Sequence, residues 1–401
     1  MKYVIVLGDG MADEPIPELG GLTPLEYAKT PELDALAKAS EIGLAYTIPE
    51  GMSPGSDTAN LSVLGYDPKK YYTGRSPLEA LSIGVDMKPD DVALRTNLIT
   101  VSDGDEPYEE KTILDHSSGE ISTEDAAVLL DAVRAELEDD IYHFYVGTSY
   151  RHLLIWEKGS VVPLTPPHDV LGQKVGAYLP ADEKLREMQK KSYEILSRHP
   201  INLERKRKGL NQANSCWFWG AGTRPALVSF EEKNQKKGAM ISAVDLLKGI
   251  AVGSGMTNIQ VEGANGQLHT NYEGKAQAAA DALLKDGFDF VYVHVEAPDE
   301  MGHQGSWERK VQSIEYLDQR LIRNLKAALD ASGEAYRMMV LPDHPTPVRV
   351  RTHTGEPVPF LIYDSRKEYA GPEAYSEKAA REGGLVVSRG CDLIDRLFEK
   401  V

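Results

Sequence analysis

The chain has 401 residues, enough for a large core divided between two domains. Asp+Glu 62 against Lys+Arg 44 give a formal charge of -18, which excludes nucleic acid or an anionic membrane as the main partner. A small anionic ligand stays open, because metal ions can make one site cationic. Cys216 and Cys391 form neither a disulfide framework nor a cysteine zinc motif, and no apolar run reaches the length of a membrane span, so a soluble, cytoplasmic protein is expected.

Residues 3–7 are a β-branched run ending in Gly8-Asp9-Gly10, predicted as a buried strand with an acid at its C-terminal end. In open α/β sheets that end is where sites form. The run is too short for a signal peptide. Apolar residues at helical spacing predict a helix over 31–38, and 42–47 reads as a short strand. In Glu50-Gly-Met-Ser-Pro-Gly-Ser-Asp-Thr-Ala-Asn60, Pro54-Gly55 forces a turn and Ser56 opens a helical first turn, where backbone N–H groups and the helix dipole favour a phosphate. An isolated serine of this kind is ordinarily a helix cap. As a nucleophile it would need an adjacent base or a metal ion. Residues 61–72 read as a helix running into a turn, and 76–83 as a second helix.

From about residue 86 the texture changes. Residues 92–101, 142–146, 152–156 and 161–164 read as strands, 120–137 and 181–197 as helices. The basic run Arg205-Lys-Arg-Lys208 reads as a solvated helix end or loop in so acidic a chain. Residues 214–224, with Trp217, Trp219, Gly220 and Gly222, read as an irregular segment that lines a pocket or plugs a domain junction. After about 235, helices are predicted over 243–251, 274–284, 310–329 and 390–399, and strands over 257–260, 289–295, 337–341 and 360–363. This alternation at both ends of the chain predicts an α/β fold, a mostly parallel sheet with helices on both faces. The β-richer middle would be an inserted α+β domain. The expected boundaries are 1–85 and 235–401 for the discontinuous core and 86–234 for the insertion.

Three predicted strands are followed at once by metal-ligating side chains. Asp9 follows the first, Asp299-Glu-Met-Gly-His303 follows the strand ending at Val295, and Asp343-His344 follows the strand ending at Leu341, with His353 nearby. A lone Asp-x3-His is usually structural; the joint occurrence supplies ligands for two cations. Mixed imidazole and carboxylate ligation suits manganese, zinc or cobalt better than magnesium or calcium, which prefer oxygen shells. Such a pair would hold the Ser56 oxygen as its anion and clamp a phosphoryl group during in-line displacement.

Together, Gly8-Asp-Gly-Met-Ala-Asp13, Pro54-Gly-Ser-Asp-Thr58, Gly65-Tyr-Asp-Pro68, Tyr72-Thr-Gly-Arg75, Ala297-Pro-Asp-Glu-Met-Gly-His303 and Leu341-Pro-Asp-His344 with His353 resemble the archaeal-type cofactor-independent phosphoglycerate mutases. These belong to the alkaline phosphatase superfamily, and the likeness runs nearly end to end. It implies an alkaline-phosphatase-like core in which Asp9, Ser56, Asp343 and His344 hold one ion and Asp299, His303 and His353 the other. Two divalent ions are implied, manganese foremost, with zinc, cobalt or magnesium as alternatives. It also implies interconversion of 3- and 2-phosphoglycerate through a phosphoserine at Ser56, within an inserted domain's grip.

The family's insertion supplies basic groups for a small phosphorylated hydroxy acid. Candidates are His116, Arg151, His152, His168 and Arg224, with Lys248 and Lys275 from the core. Where the archaeal enzymes tend to carry an arginine-rich segment, this chain has Ile113-Leu-Asp-His-Ser-Ser-Gly-Glu120, which removes bidentate donors for phosphate and carboxylate. That departure motivates a second reading, a metal-dependent phosphotransferase acting on homoserine or another small hydroxy acid, or a phosphatase. A metal-binding structural protein without turnover is a third. The sequence leaves the oligomeric state open.

Overall fold

The computed structural model describes residues 1–400. Two compact units emerge, Met1–Tyr72 with Leu227–Val401, and Thr73–Ala226. No helix among the described residues is long and apolar enough to cross a membrane.

The first unit is built on an eight-stranded sheet. Its order is Val386–Val387, Ser40–Ala45, Val358–Asp364, Tyr336–Leu341, Lys2–Gly8, Phe290–Val295, Gly238–Ile241 and Thr257–Asn258. Only Val358–Asp364 runs against the others. The central strands are near-continuous apolar runs because both faces are covered. Val4 and Val6 point into a core shared with Ala276 and Leu283 of the helix Tyr272–Leu284 and with Ile314 and Leu325 beyond it. Tyr3 and Phe290, on the opposite face, meet the Phe398 ring edge-on.

The predicted helix over 310–329 is a composite. Trp307–Tyr316 and Arg323–Ser332 flank a π-helical stretch, Leu317–Ile322. That stretch directs the buried Asp318 carboxylate at the N–H groups of Leu33 (2.7 Å) and Glu32 (3.3 Å). It thereby caps the helix Pro31–Lys38, whose own Thr30 makes no capping bond.

The second unit carries a five-stranded antiparallel sheet centred on Val92–Val101, which pairs with Ile113–Asp115, Arg151–Trp156 and Ser215–Thr223. Tyr142–Thr148 pairs with Arg151–Trp156. The helices Thr123–Leu137 and Glu183–Leu196 supply Leu129, Val133, Leu185 and Met188 to its core.

Several expectations change here. Residues 214–224 are not irregular: Ser215–Thr223 is a strand, and its aromatic residues alternate across the sheet despite the glycines. Residues 161–164 form no strand, as prolines 163, 166 and 167 remove the N–H donors a ladder needs. The basic run closes the helix Pro200–Arg207. The second unit starts at Thr73 rather than 86, because the helix Arg75–Ser82 packs Ala80 against Ala93, Leu153 and Ile155 of that unit's own sheet. It ends at Ala226, because Phe230, in the helix Phe230–Asn234, stacks on Phe290 of the eight-stranded sheet.

Candidate active site

The parallel strands Lys2–Gly8, Phe290–Val295 and Tyr336–Leu341 end side by side, with Leu7 level with both His294 and Leu341. The residues that follow them therefore converge. Asp9, Asp343 and His344 are all buried, and Asp299 lies in the first turn of the short helix Ala297–His303.

Ser56 is the first residue of the helix Ser56–Val63, and Gly55 occupies the capping position. Its hydroxyl is thus not spent on capping: Oγ lies 3.1 Å from His344 Nε2. The same nitrogen lies 3.5 Å from Asp9 Oδ1 and 3.4 Å from Asp343 Oδ2. Asn60, one helical turn beyond Ser56, donates through Nδ2 to Asp343 Oδ2 (2.9 Å) and to the Ser56 carbonyl (2.7 Å). The N–H groups of Gly10 (3.1 Å) and His344 (2.9 Å) donate to Asp343 Oδ1.

Asp299 lies between two imidazoles, 3.2 Å from His303 Nε2 and 3.4 Å from His353 Nε2. Thr346 Oγ1 donates to Asp299 Oδ1 (2.5 Å) and lies 3.2 Å from His344 Nδ1. The His344 and His353 rings are 4.0 Å apart, so all seven predicted ligands form one cluster. Gly10 is part of its geometry. It has φ +60, and a Cβ there would overlap Thr346 Oγ1 and fall 2.7 Å from Asp299 Oδ1.

The electrostatics are those of crowded acids. Burial raises the Asp9 carboxyl well above its ordinary range, and Asp343 and Asp299 add repulsion. Burial also acts upward on Asp299, but hydrogen bonds from His303 and His353 outweigh it and hold that carboxyl well below the usual range. The bond to Asp299 lifts His303 to about 9, whereas burial lowers His344.

Divalent cations fit this donor set. Asp9 Oδ1 is buried without a hydrogen-bond partner, an expensive arrangement unless a cation fills it. Donor atoms of Asp299, His344 and His353 lie within 4.8 Å of one another, as do those of Asp9, His294 and Asp343. His294, Asn60 and Thr346 escaped the sequence reading. The signal for His294 was present: in the strand Phe290–Val295 it shares a face with Tyr292, opposite Val291, Val293 and Val295, and is its one imidazole.

The candidate substrate-binding residues divide. In the second unit, the His116 ring sits 5.8 Å from Tyr150 and 6.0 Å from His168, and His168 sits 5.4 Å from Trp219. His116 Nδ1 is buried without a hydrogen-bond partner. Exposed Arg151 lies over the Tyr150 ring. Arg224 is held by the Met87 carbonyl (2.8 Å). His152 is a correction: it is 2 % exposed, accepts the Gly147 N–H at Nδ1 (3.1 Å) and is pushed by burial to about 4, so it is neutral and internal. Lys275 is another, wholly enclosed with Nζ on the His294 carbonyl (2.7 Å). Lys248 pairs with Asp245 on its own helix (3.1 Å).

A family model described as 2,3-bisphosphoglycerate-independent phosphoglycerate mutase matches residues 37–202. A protein of that name from Methanosarcina barkeri is 48% identical, over 100% of both chains. A solved protein from Pyrococcus horikoshii superposes with a TM-score of 0.81 at 31% identity, covering 99% of this chain and 96% of that one. The cofactor-independent phosphoglycerate mutase from Thermoplasma acidophilum superposes with a TM-score of 0.70 at 29% identity, over 100% of both.

Proposed function

Since the chain belongs to the 2,3-bisphosphoglycerate-independent phosphoglycerate mutase family, we propose that it interconverts 3- and 2-phosphoglycerate through a phosphoserine at Ser56. The observation that carries this reading is the 3.1 Å approach of Ser56 Oγ to His344 Nε2 inside the carboxylate and imidazole cluster.

Asp9, Asp343 and His344 with Ser56, and Asp299 with His303 and His353, would hold two divalent ions, manganese by the mixture of nitrogen and oxygen donors. When bound, these cations supply the positive charge that favours the ionised serine and offsets charge on the phosphoryl oxygens. Ser56 presents Oγ at a helix N-terminus, where the dipole favours phosphate. In the forward step the Oγ–P bond forms as the bond from phosphorus to O3 breaks, and the serine proton passes to O3 of the departing glycerate. In the return step the 2-hydroxyl attacks the same phosphorus, the Oγ–P bond breaks, and the 2-hydroxyl proton returns to Ser56. Asn60 holds the Ser56 carbonyl and Asp343 together through both steps. His116, Arg151 and His168 are the proposed groups for the substrate's anionic ends. Two unpaired cysteines fit a reducing, cytoplasmic setting.

Transfer to homoserine or to water is not favoured, because the full-length likeness is to mutases. The test is conversion of 3- to 2-phosphoglycerate with Mn²⁺ and without bisphosphoglycerate, combined with mass spectrometry for phosphate on Ser56. No conversion, or turnover with phosphate never on Ser56, would sink the proposal.

A further inference from the structure

His294 is wholly buried, and its two ring nitrogens face different partners. Nε2 is 2.9 Å from Asp9 Oδ2, and Nδ1 is 3.2 Å from Ser242 Oγ. Ser242 Oγ accepts the Val244 N–H at 3.0 Å, which leaves its own proton to be donated. With Asp9 a carboxylate, as a cation ligand must be, one protonation pattern satisfies the whole chain. Ser242 O–H donates to Nδ1, so the ring proton sits on Nε2 and is donated to Asp9 Oδ2. The opposite tautomer would aim the Nε2 lone pair at a carboxylate oxygen. The main chain that carries the two side chains is held as well: the His294 carbonyl accepts Lys275 Nζ at 2.7 Å, and Asp9 N–H donates to the Val295 carbonyl at 2.9 Å.

A carboxylate with two equivalent oxygens can rotate about Cβ–Cγ. Here one oxygen is held by the imidazole, while Oδ1 is buried without a hydrogen-bond partner. We infer that the Val244–Ser242–His294 chain is a positioning device, which locks the Asp9 carboxylate so that Oδ1 alone is presented to a divalent cation. This rests on the reading of Asp9 as a cation ligand. His294 is then a positioning residue rather than a ligand, and Ser242 acts one step further back by selecting its tautomer. Partners of this kind, which orient a ligand through its other polar atom, typically change metal affinity by about 10–100-fold when removed.

The geometry singles out a pair of substitutions. A glutamine amide nitrogen reaches the place of Nε2 and can still donate to Asp9; an asparagine amide nitrogen reaches only as far as Nδ1. Metal-free protein would be titrated with Mn²⁺ alone by calorimetry, with circular dichroism and melting temperature recorded for each variant. His294→Gln is expected to bind within roughly threefold of wild type, His294→Asn to bind about 10–100-fold more weakly, and Ser242→Ala about tenfold more weakly. If His294→Asn and Ser242→Ala keep the wild-type fold and bind within roughly threefold of wild type, the inference is overturned. If His294→Gln is as weak as His294→Asn, donation to Asp9 is not what matters, and it is overturned too. Asp9→Asn separates the two levels: unchanged stoichiometry and affinity in that variant would remove Asp9 from the ligand set, and with it the reading beneath.

Discussion

Lys310 Nζ and Asp13 Oδ2 form an ion pair at 2.7 Å with both side chains enclosed. The ammonium also donates to the carbonyls of Ala12 (3.1 Å) and Thr346 (2.9 Å), and the same Asp13 oxygen accepts the Val348 N–H (3.1 Å). The loop that carries Asp9 is thereby tied to the loop that carries Asp343 and His344. Lys310→Met would leave Asp13 buried and uncompensated, at a cost of about 3–5 kcal/mol. Urea denaturation of the metal-free protein measures it. The double variant Lys310→Met, Asp13→Leu is expected to lose less than the single one, because no lone charge remains.

Glu377 is a buried carboxyl outside the Ser56 cluster. It accepts from Thr23 Oγ1 (2.7 Å) and from the Asp13 N–H (3.2 Å). Burial raises it from 4.5 to about 7 despite those bonds. The folded protein therefore holds this proton more tightly than the unfolded chain does. Its contribution to stability is complete below about pH 4.5 and is lost as the pH rises through about 7. At about 1.4 kcal/mol per pH unit the loss is about 3 kcal/mol. Glu377→Gln should flatten that slope, and denaturation midpoints at pH 5 and pH 8 compare the two proteins. A wild type whose stability changes no more than the variant's would refute the assignment.

In the second unit, Arg151 and His152 are adjacent in sequence and opposite in kind. Arg151 is exposed, while His152 is enclosed with Nδ1 on the Gly147 N–H. Arg151→Ala should leave the melting temperature within a degree or two and raise KM about tenfold or more, the loss expected for the charge-assisted substrate contact proposed for it. His152→Leu should lower the melting temperature by several degrees, for it leaves a buried N–H without an acceptor, and should change KM little. Steady-state kinetics with thermal melts separate the two.

What the sequence revealed follows from what its signals measure. Period and strand-end acids made the eight-stranded core legible, because strands buried on both faces are apolar without interruption and their C-terminal ends lie together in a parallel sheet. The convergence of Asp9, Asp299, Asp343 and His344 was legible for the same reason, and that of Ser56 from the Pro54-Gly55 turn before its helix. Ser215–Thr223 was not: Trp217, Trp219, Gly220 and Gly222 disguise a strand whose pairing with Val92–Val101 is set by contacts more than a hundred residues away. Thr346 meets Asp299 and His344 through side-chain hydrogen bonds, which no spacing encodes. The burial of His152 and Lys275 depends on tertiary packing, so a basic residue in the right segment proved an insufficient guide.

Gly10 offers a test that touches the cluster without removing any of its donors. Its φ of +60 disfavours any side chain, and a Cβ would collide with Thr346 Oγ1 and crowd Asp299 Oδ1 at 2.7 Å. Thr346 cannot retreat freely, because it also contacts His344 Nδ1 and its carbonyl is held by Lys310. Asp299 cannot either, being fixed between His303 and His353. The strain of Gly10→Ala must therefore appear as displacement of the loop that begins at Asp9. A shift of about 1 Å in a reacting constellation costs on the order of 100-fold in rate. Gly10→Ala should accordingly lower kcat by about that factor while the helical circular dichroism signal stays native. Near-wild-type kcat would show that the loop relaxes without moving Asp9, and that the close approach of Gly10 to Asp299 is not part of what aligns the site.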